Sequence, residues 1–185
     1  MDPLRVEQNL EMRLVAESDA QEICAVVMKN FEHLHEWMQW AVSGYNIELT
    51  RAFISLSLKQ FEKGETMNLL IIRDERIAGG IGLNVIDYVN RGTELGYWLD
   101  NELTGKGIVS KCCRALIDHA FGTMALHRVV IRCASGNTKS RGIPERLGFR
   151  KEGTMRDAEL LHGRYVDLVV YSMLEREWRA IRSKQ

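Results

Sequence analysis

Three groups of residues in this chain have the types and the spacing for chemistry. The first is Thr104-Gly105-Lys106-Gly107-Ile108, two glycines around a lysine where a strand-like segment gives way to an amphipathic one. A helix start leaves its first backbone N–H groups unpartnered and carries partial positive charge. Glycines let an anion come close to that backbone. The consecutive N–H groups, the Thr104 hydroxyl and the Lys106 ammonium together suit a pyrophosphate. The run lacks the Gly-Lys-Ser/Thr ending of a Walker A loop and the third glycine of the dinucleotide fingerprint. An ordinary glycine-bearing turn has the same spacing.

The second group is Asn137 and Ser140. Asn137 suits a helix cap, and its amide also suits the amide chain of a ligand. Ser140 falls one turn later, where a hydroxyl can donate a proton to a leaving thiolate. The third group is carboxylates. Glu94 lies on the strand-like segment before the glycine loop, and burial there would raise its pKa and make it a base. Glu102 lies in the loop itself. His162 and Asp167 flank the last turn and are weaker candidates. Trp37, Trp40, Tyr45, Tyr97, Trp98 and Tyr165 are candidates for an acceptor pocket, although large aromatics more often fill a core.

These residues need elements to hold them. Residues 10–15 read as a first strand, followed by a helix capped by Ser18 or by Asp19 with Glu22 as its capping-box partner. A short helical piece is expected within residues 33–40. A longer helix runs from Tyr45 or Asn46 to about Lys63, with Leu49, Phe53, Leu56, Leu58 and Phe61 as its apolar face and Gly64 as its stop. Strands follow at residues 67–72, 76–89 and 93–99, punctuated by Asp74-Glu75 and Asn90-Arg91-Gly92. Val109, Cys112, Cys113, Leu116, Ile117, Ala120 and Phe121 then repeat with helical period. After it come a strand at 128–134, a helix from Asn137 to Leu147 shortened or kinked by Pro144, strands at 149–156 and 164–174, and a polar surface helix at 175–182. The strand–helix–strand crossover implies one parallel pair. The fold class is α/β: a mixed, mostly antiparallel sheet of about seven strands with helices on both faces.

The 185 residues fit a single domain, 1–185, with Lys+Arg 25 balancing Asp+Glu 25. Zero net charge supplies no field for holding nucleic acid. The basic stretch Arg176, Arg179, Arg182 and Lys184 reads as a solvated helix face. No apolar run has the length of a membrane span, and the N-terminus lacks a signal-peptide layout. Cys24, Cys112, Cys113 and Cys133 make no C-x-x-C pair, so no metal is expected and a cytoplasmic setting is the simplest.

Two motifs in order give a family resemblance. LGYWLD…TGKGIVSKCCRALIDHAF followed by NTKSRGIPERLGF resembles the Gcn5-related N-acetyltransferase (GNAT) superfamily, and more narrowly its RimJ/RimL-like branch of ribosomal-protein N-terminal acetyltransferases. The resemblance covers residues 10–178 and implies acetyl-CoA as co-substrate. Gly105 and Gly107 match the superfamily's phosphate motif, while Glu102 stands where Gln or Arg is usual. It implies pyrophosphate on the backbone of Leu103, Thr104, Gly105, Lys106, Gly107 and Ile108. It also implies pantetheine beside Tyr97, Trp98 and Leu99, where one main-chain amide would stabilise an oxyanion. Asn137 carries over as a pantetheine contact and Ser140 as the group near sulfur.

The implied reaction is direct transfer of acetyl to a primary amine, with Glu94 or a water it orients as the base. The expected acceptor is the N-terminal α-amino group of a protein, a ribosomal protein being what the branch resembled implies. Two alternatives remain: an acetyltransferase for a polyamine, amino acid or antibiotic amine, and a non-catalytic acyl-CoA-binding module. Residues near Trp37 and Trp40 either meet a partner in a homodimer or larger homo-oligomer or cap the acceptor site.

Overall fold

Short alternating segments open the chain as a hairpin, β1 (Leu4–Glu7) and β2 (Leu10–Leu14), paired antiparallel. β2 is the expected first strand, and β1 adds one ahead of it. The computed structural model describes residues 1–183, so Lys184 of the basic stretch lies outside the described residues. Three helices follow: α1 (Ala20–Lys29), α2 (Phe31–His35) and α3 (Ile47–Glu62). Asn46 caps α3, its Oδ1 accepting the N–H groups of Glu48 at 3.0 Å and Leu49 at 3.1 Å. The capping box expected for α1 does not form. Asp19 pairs instead with Arg13 at 2.7 Å and accepts the Ala16 N–H at 2.8 Å, while Glu22 accepts the N–H of Ile77 at 2.8 Å across to the sheet.

β3 (Met67–Arg73), β4 (Arg76–Asp87) and β5 (Gly92–Leu99) form the expected meander. Asp74 and Glu75 have φ of 50° and 64°, the sense of twist that a two-residue hairpin needs. Then come α4 (Ile108–Gly122), β6 (Arg128–Ala134), α5 (Thr138–Arg146), β7 (Arg150–Leu161), β8 (Arg164–Leu174) and α6 (Glu175–Arg182). β7 runs past the expected end at residue 156. The eight strands lie in the order β1-β2-β3-β4-β5-β6-β8-β7, antiparallel except for β5 with β6.

Both sheet faces are covered. Along β3, Leu69 and Ile71 join the core under α4, while Leu70 and Ile72 join the core under α1–α3, as a period of two requires. The whole predicted stripe of α4 is buried. α3 uses its expected face only in part, with Leu58 and Phe61 packed partly buried against the two cores. Thr50, Ile54 and Ser57 point inward, and Leu49, Phe53 and Leu56 are exposed. Ser57 Oγ accepts from Asn68 Nδ2 of β3 at 3.1 Å, so small hydrogen-bonded side chains bring helix and sheet together. The expected surface helix α6 buries Trp178, whose Nε1 donates to Asp118 at 2.7 Å.

Candidate active site

The site begins where two strands part. β5 and β6 pair only at Gly92↔Arg128, Thr93↔Val129 and Glu94↔Val130. Beyond that, β5 follows β4 to Leu99↔Gly79 and β6 follows β8 to Ala134↔Leu168. β5 is held close to β4 by absent side chains: a Cβ on Gly79 would sit 2.3 Å from the Trp98 carbonyl oxygen, and one on Gly80 2.4 Å from Trp98 Nε1. An open cleft of about 460 Å³ fills the gap on the side of the glycine loop. All of the expected cofactor-binding residues except Lys106 line it: Tyr97, Trp98, Leu99, Leu103, Thr104, Gly105, Gly107, Ile108, Asn137 and Ser140.

At its end α4 starts with Gly107 at φ 74° and no side-chain cap, behind Gly105 at φ 76°. Neither glycine has an atom within 4 Å of where a Cβ would be. The first N–H groups of α4 thus open onto the cleft, with the field that attracts anions. Lys139 and Arg146, seven residues apart on α5, add positive charge to the same cleft. His33 lines it too; burial first, then Lys139, hold its pKa below the usual histidine range.

Glu102 is turned away from this cleft. Lys29 Nζ donates to it at 2.7 Å and to Asp100 at 3.0 Å. Asp100 Oδ1 accepts the Glu102 N–H at 3.0 Å, and Asn30 Oδ1 accepts that of Asn101 at 2.9 Å. The end of α1 therefore grips the loop from behind. Burial would raise the Asp100 pKa, but the bonds from Lys29 and the Glu102 N–H outweigh it and leave it below the usual carboxylate range.

In the middle of the gap Ser140 meets Tyr97 and Cys133. Ser140 Oγ donates to the Tyr97 hydroxyl at 3.2 Å and lies 3.3 Å from Cys133 Sγ. Asn137 caps α5, its Oδ1 accepting the Ser140 N–H at 3.0 Å. Burial above all, then Cys133 and Cys113, push the Tyr97 pKa well above the tyrosine range. Burial likewise raises Cys133, and pushes Cys112 up to about 12. These thiols are poor nucleophiles, and all four cysteines are buried.

A second cleft of about 620 Å³ opens on the far side of Tyr97 and Ser140, which line both. Trp37 and Trp40 line it, together with Glu94, Arg132 and Glu159. Glu94 lines this cleft, and Arg132 ion-pairs with it across the gap. Glu159 gets there through a bulge: Met155↔Leu168 is followed by Glu159↔Val166, with Asp157 at φ 48° inside. Asp167 shapes that bulge by accepting the Asp157 N–H at 2.9 Å. His162 stacks on His35 with ring centroids 3.7 Å apart. Arg132 and Glu159 were not among the sequence candidates, since splay and bulge alone bring them in. Lys139 and Arg146 had a signal in their helical spacing. Tyr45 and Tyr165 are not among the residues lining either cleft.

Among the described residues no group of three His, Cys, Asp or Glu is placed to hold a metal, and no helix is long and apolar enough to cross a membrane. Residues 9–150 match the family model "Acetyltransferase (GNAT) domain". YdaF of Bacillus subtilis (strain 168) is 37% identical over 175 residues, 94% of this chain and 96% of that protein. The solved complex of RimL, described as a ribosomal L7/L12 alpha-N-protein acetyltransferase, with coenzyme A superposes with a TM-score of 0.90 at 30% identity, covering 94% of this chain and 98% of that one. The microcin C7 self-immunity acetyltransferase MccE, solved with acetyl-CoA and AMP, gives 0.87 at 30% identity over 91% of this chain and 94% of that one.

Proposed function

This chain belongs to the GNAT family of N-acetyltransferases, and on that premise we propose that it moves acetyl from acetyl-CoA to the N-terminal α-amino group of a protein, ribosomal proteins being the first class to try. The observation that carries the reading is the parting of β5 from β6 immediately before the uncapped, glycine-flanked start of α4. It leaves an unpaired strand edge for pantetheine and an anion site for pyrophosphate in one continuous gap. In this reading the N–H groups of residues 105–108 hold the pyrophosphate, those expected from Leu103 and Thr104 being given instead to the Asp100 and Asn101 carbonyls at 2.9 and 3.2 Å, and Lys139 and Arg146 add charge to it. A main-chain amide among Tyr97, Trp98 and Leu99 polarises the acetyl carbonyl. Asn137, whose oxygen is used in capping, offers its amide nitrogen to pantetheine.

The amine enters from the far cleft, gives up a proton and attacks the thioester held beside it, so that much of the rate gain is proximity. Arg132 ion-pairs with Glu94 and orients its carboxylate, which suits Glu94 to ordering a water that takes the proton. Glu159 is the second carboxylate facing that cleft. Ser140 donates to the sulfur as the C–S bond breaks. The test is thiol release from acetyl-CoA with short peptides carrying free N-terminal serine or alanine, against spermidine and free amino acids. Turnover of peptides supports the reading. Turnover confined to the small amines replaces it with a small-molecule acetyltransferase. Glu94→Gln and Ser140→Ala at full kcat would remove those two roles.

A further inference from the structure

Pro144 lies in α5, four residues after Ser140. A helix carbonyl at position i accepts the N–H at i+4, and proline has none. The Ser140 carbonyl is thereby left over, and it is taken: the Tyr97 hydroxyl donates to it at 2.9 Å from the far side of the gap. The same hydroxyl accepts from Ser140 Oγ at 3.2 Å. One phenol thus fixes both the main chain and the side chain of one serine, across strands that no longer pair.

We propose that Tyr97 is the positioning residue of the leaving-sulfur site: its hydroxyl fixes Ser140 across the gap and backs the hydrogen bond that Ser140 gives to the departing thiolate. This rests on the assignment of Ser140 above. Hydroxyl hydrogens rotate to suit their partners. While the thioester is intact, Ser140 donates to Tyr97 and Tyr97 to the carbonyl. As the C–N bond forms and the C–S bond breaks, the electron pair of that bond goes to sulfur. Ser140 then turns its hydrogen to the thiolate, and Tyr97 can swing its own from the carbonyl to Ser140 Oγ. The amine's proton goes to water, and the thiolate takes one from water on release. With burial holding its pKa up, Tyr97 keeps its hydrogen and acts as a donor throughout.

The test needs no acceptor. Coenzyme A is bound to the full chain, and thiolate absorbance is followed against pH for wild type, Tyr97→Phe, Ser140→Ala and the double variant. A hydrogen bond to the charged form lowers its pKa. The expected order is the lowest ionisation pH in wild type, a higher one in Tyr97→Phe, and the same value in the double variant as in Ser140→Ala alone. With an acceptor peptide, Tyr97→Phe lowers kcat by roughly tenfold or more at unchanged KM for acetyl-CoA. A Tyr97→Phe complex that titrates like wild type overturns the inference, as does a Tyr97→Phe shift of equal size with and without Ser140. A Ser140→Ala complex that titrates like wild type overturns the underlying Ser140 assignment instead, and this inference with it. Thermal melting of each variant separates these outcomes from misfolding.

Discussion

Asn30 Oδ1 accepts the backbone N–H of Asn101 at 2.9 Å, joining the end of α1 to the first residue of the loop that leads into α4. Asn30 is buried, and its Nδ2 donates to the Val26 carbonyl at 2.9 Å, so the side chain is fixed from both ends. With Lys29 on Asp100 and Glu102, this contact makes the rear wall of the glycine loop.

Asn30→Ala removes that wall and leaves the Asn101 N–H unsatisfied, at a cost of about 1–3 kcal/mol. We expect a lower midpoint in urea and weaker binding of coenzyme A, with the larger effect on binding. Calorimetry and denaturation of the same variant check both.

Gly79→Ala is predicted to be severe. The added methyl meets the Trp98 carbonyl oxygen at 2.3 Å and Leu99 Cα at 2.9 Å, both backbone atoms that cannot turn aside. β5 must move, at about 3 kcal/mol or more. Gly107→Ala differs in kind: nothing crowds it, and the cost is that of holding a non-glycine residue at φ 74°, about 1–2 kcal/mol. Melting temperatures should rank the two in that order.

Acid should weaken the fold through Asp19 and Asp100. Burial would raise the Asp19 pKa, but the bonds from Arg13 and the Ala16 N–H outweigh it and hold it low, as Lys29 and the Glu102 N–H do for Asp100. A carboxylate with its folded pKa depressed adds stability above its unfolded value, about 4, and loses it as pH falls through the folded value. Stability should therefore drop below about pH 4, and the drop should be shallower in Asp19→Asn, which is also less stable at neutral pH.

The faces of α3 give a direct contrast. Ile54→Ala should cost about 2–5 kcal/mol, while Phe53→Gln should stay within about 0.5 kcal/mol in the monomer. Urea midpoints of the pair distinguish the observed face from the one periodicity suggests.

That contrast marks how far the sequence could be read. α4 was legible because seven apolar residues share one stripe and all are buried. α3 was legible only in part, because its most buried positions are Thr50, Ile54 and Ser57, of which Ser57 bonds to Asn68 of the sheet, while Leu49, Phe53 and Leu56 lie exposed. β1 was missed because it is an edge strand of four residues, too short for its alternation of half-buried and exposed positions to stand out. The glycine loop, Asn137 and Ser140 were legible as local motifs. The grip of Arg132 on Glu94, the arrival of Glu159 and the carbonyl that Pro144 frees for Tyr97 all depend on strand splay, a bulge and the meeting of distant segments, which spacing alone does not encode.

Titration of acetyl-CoA into the folded chain by calorimetry tests the central claim, that main-chain amides at the start of α4 hold the cofactor's pyrophosphate. Saturable binding of one acetyl-CoA per chain is expected, weakened in Gly107→Ala by more than its melting temperature would suggest. A folded wild-type chain that gives no heat and no affinity, or a Gly107→Ala variant that binds as tightly as wild type, would contradict it.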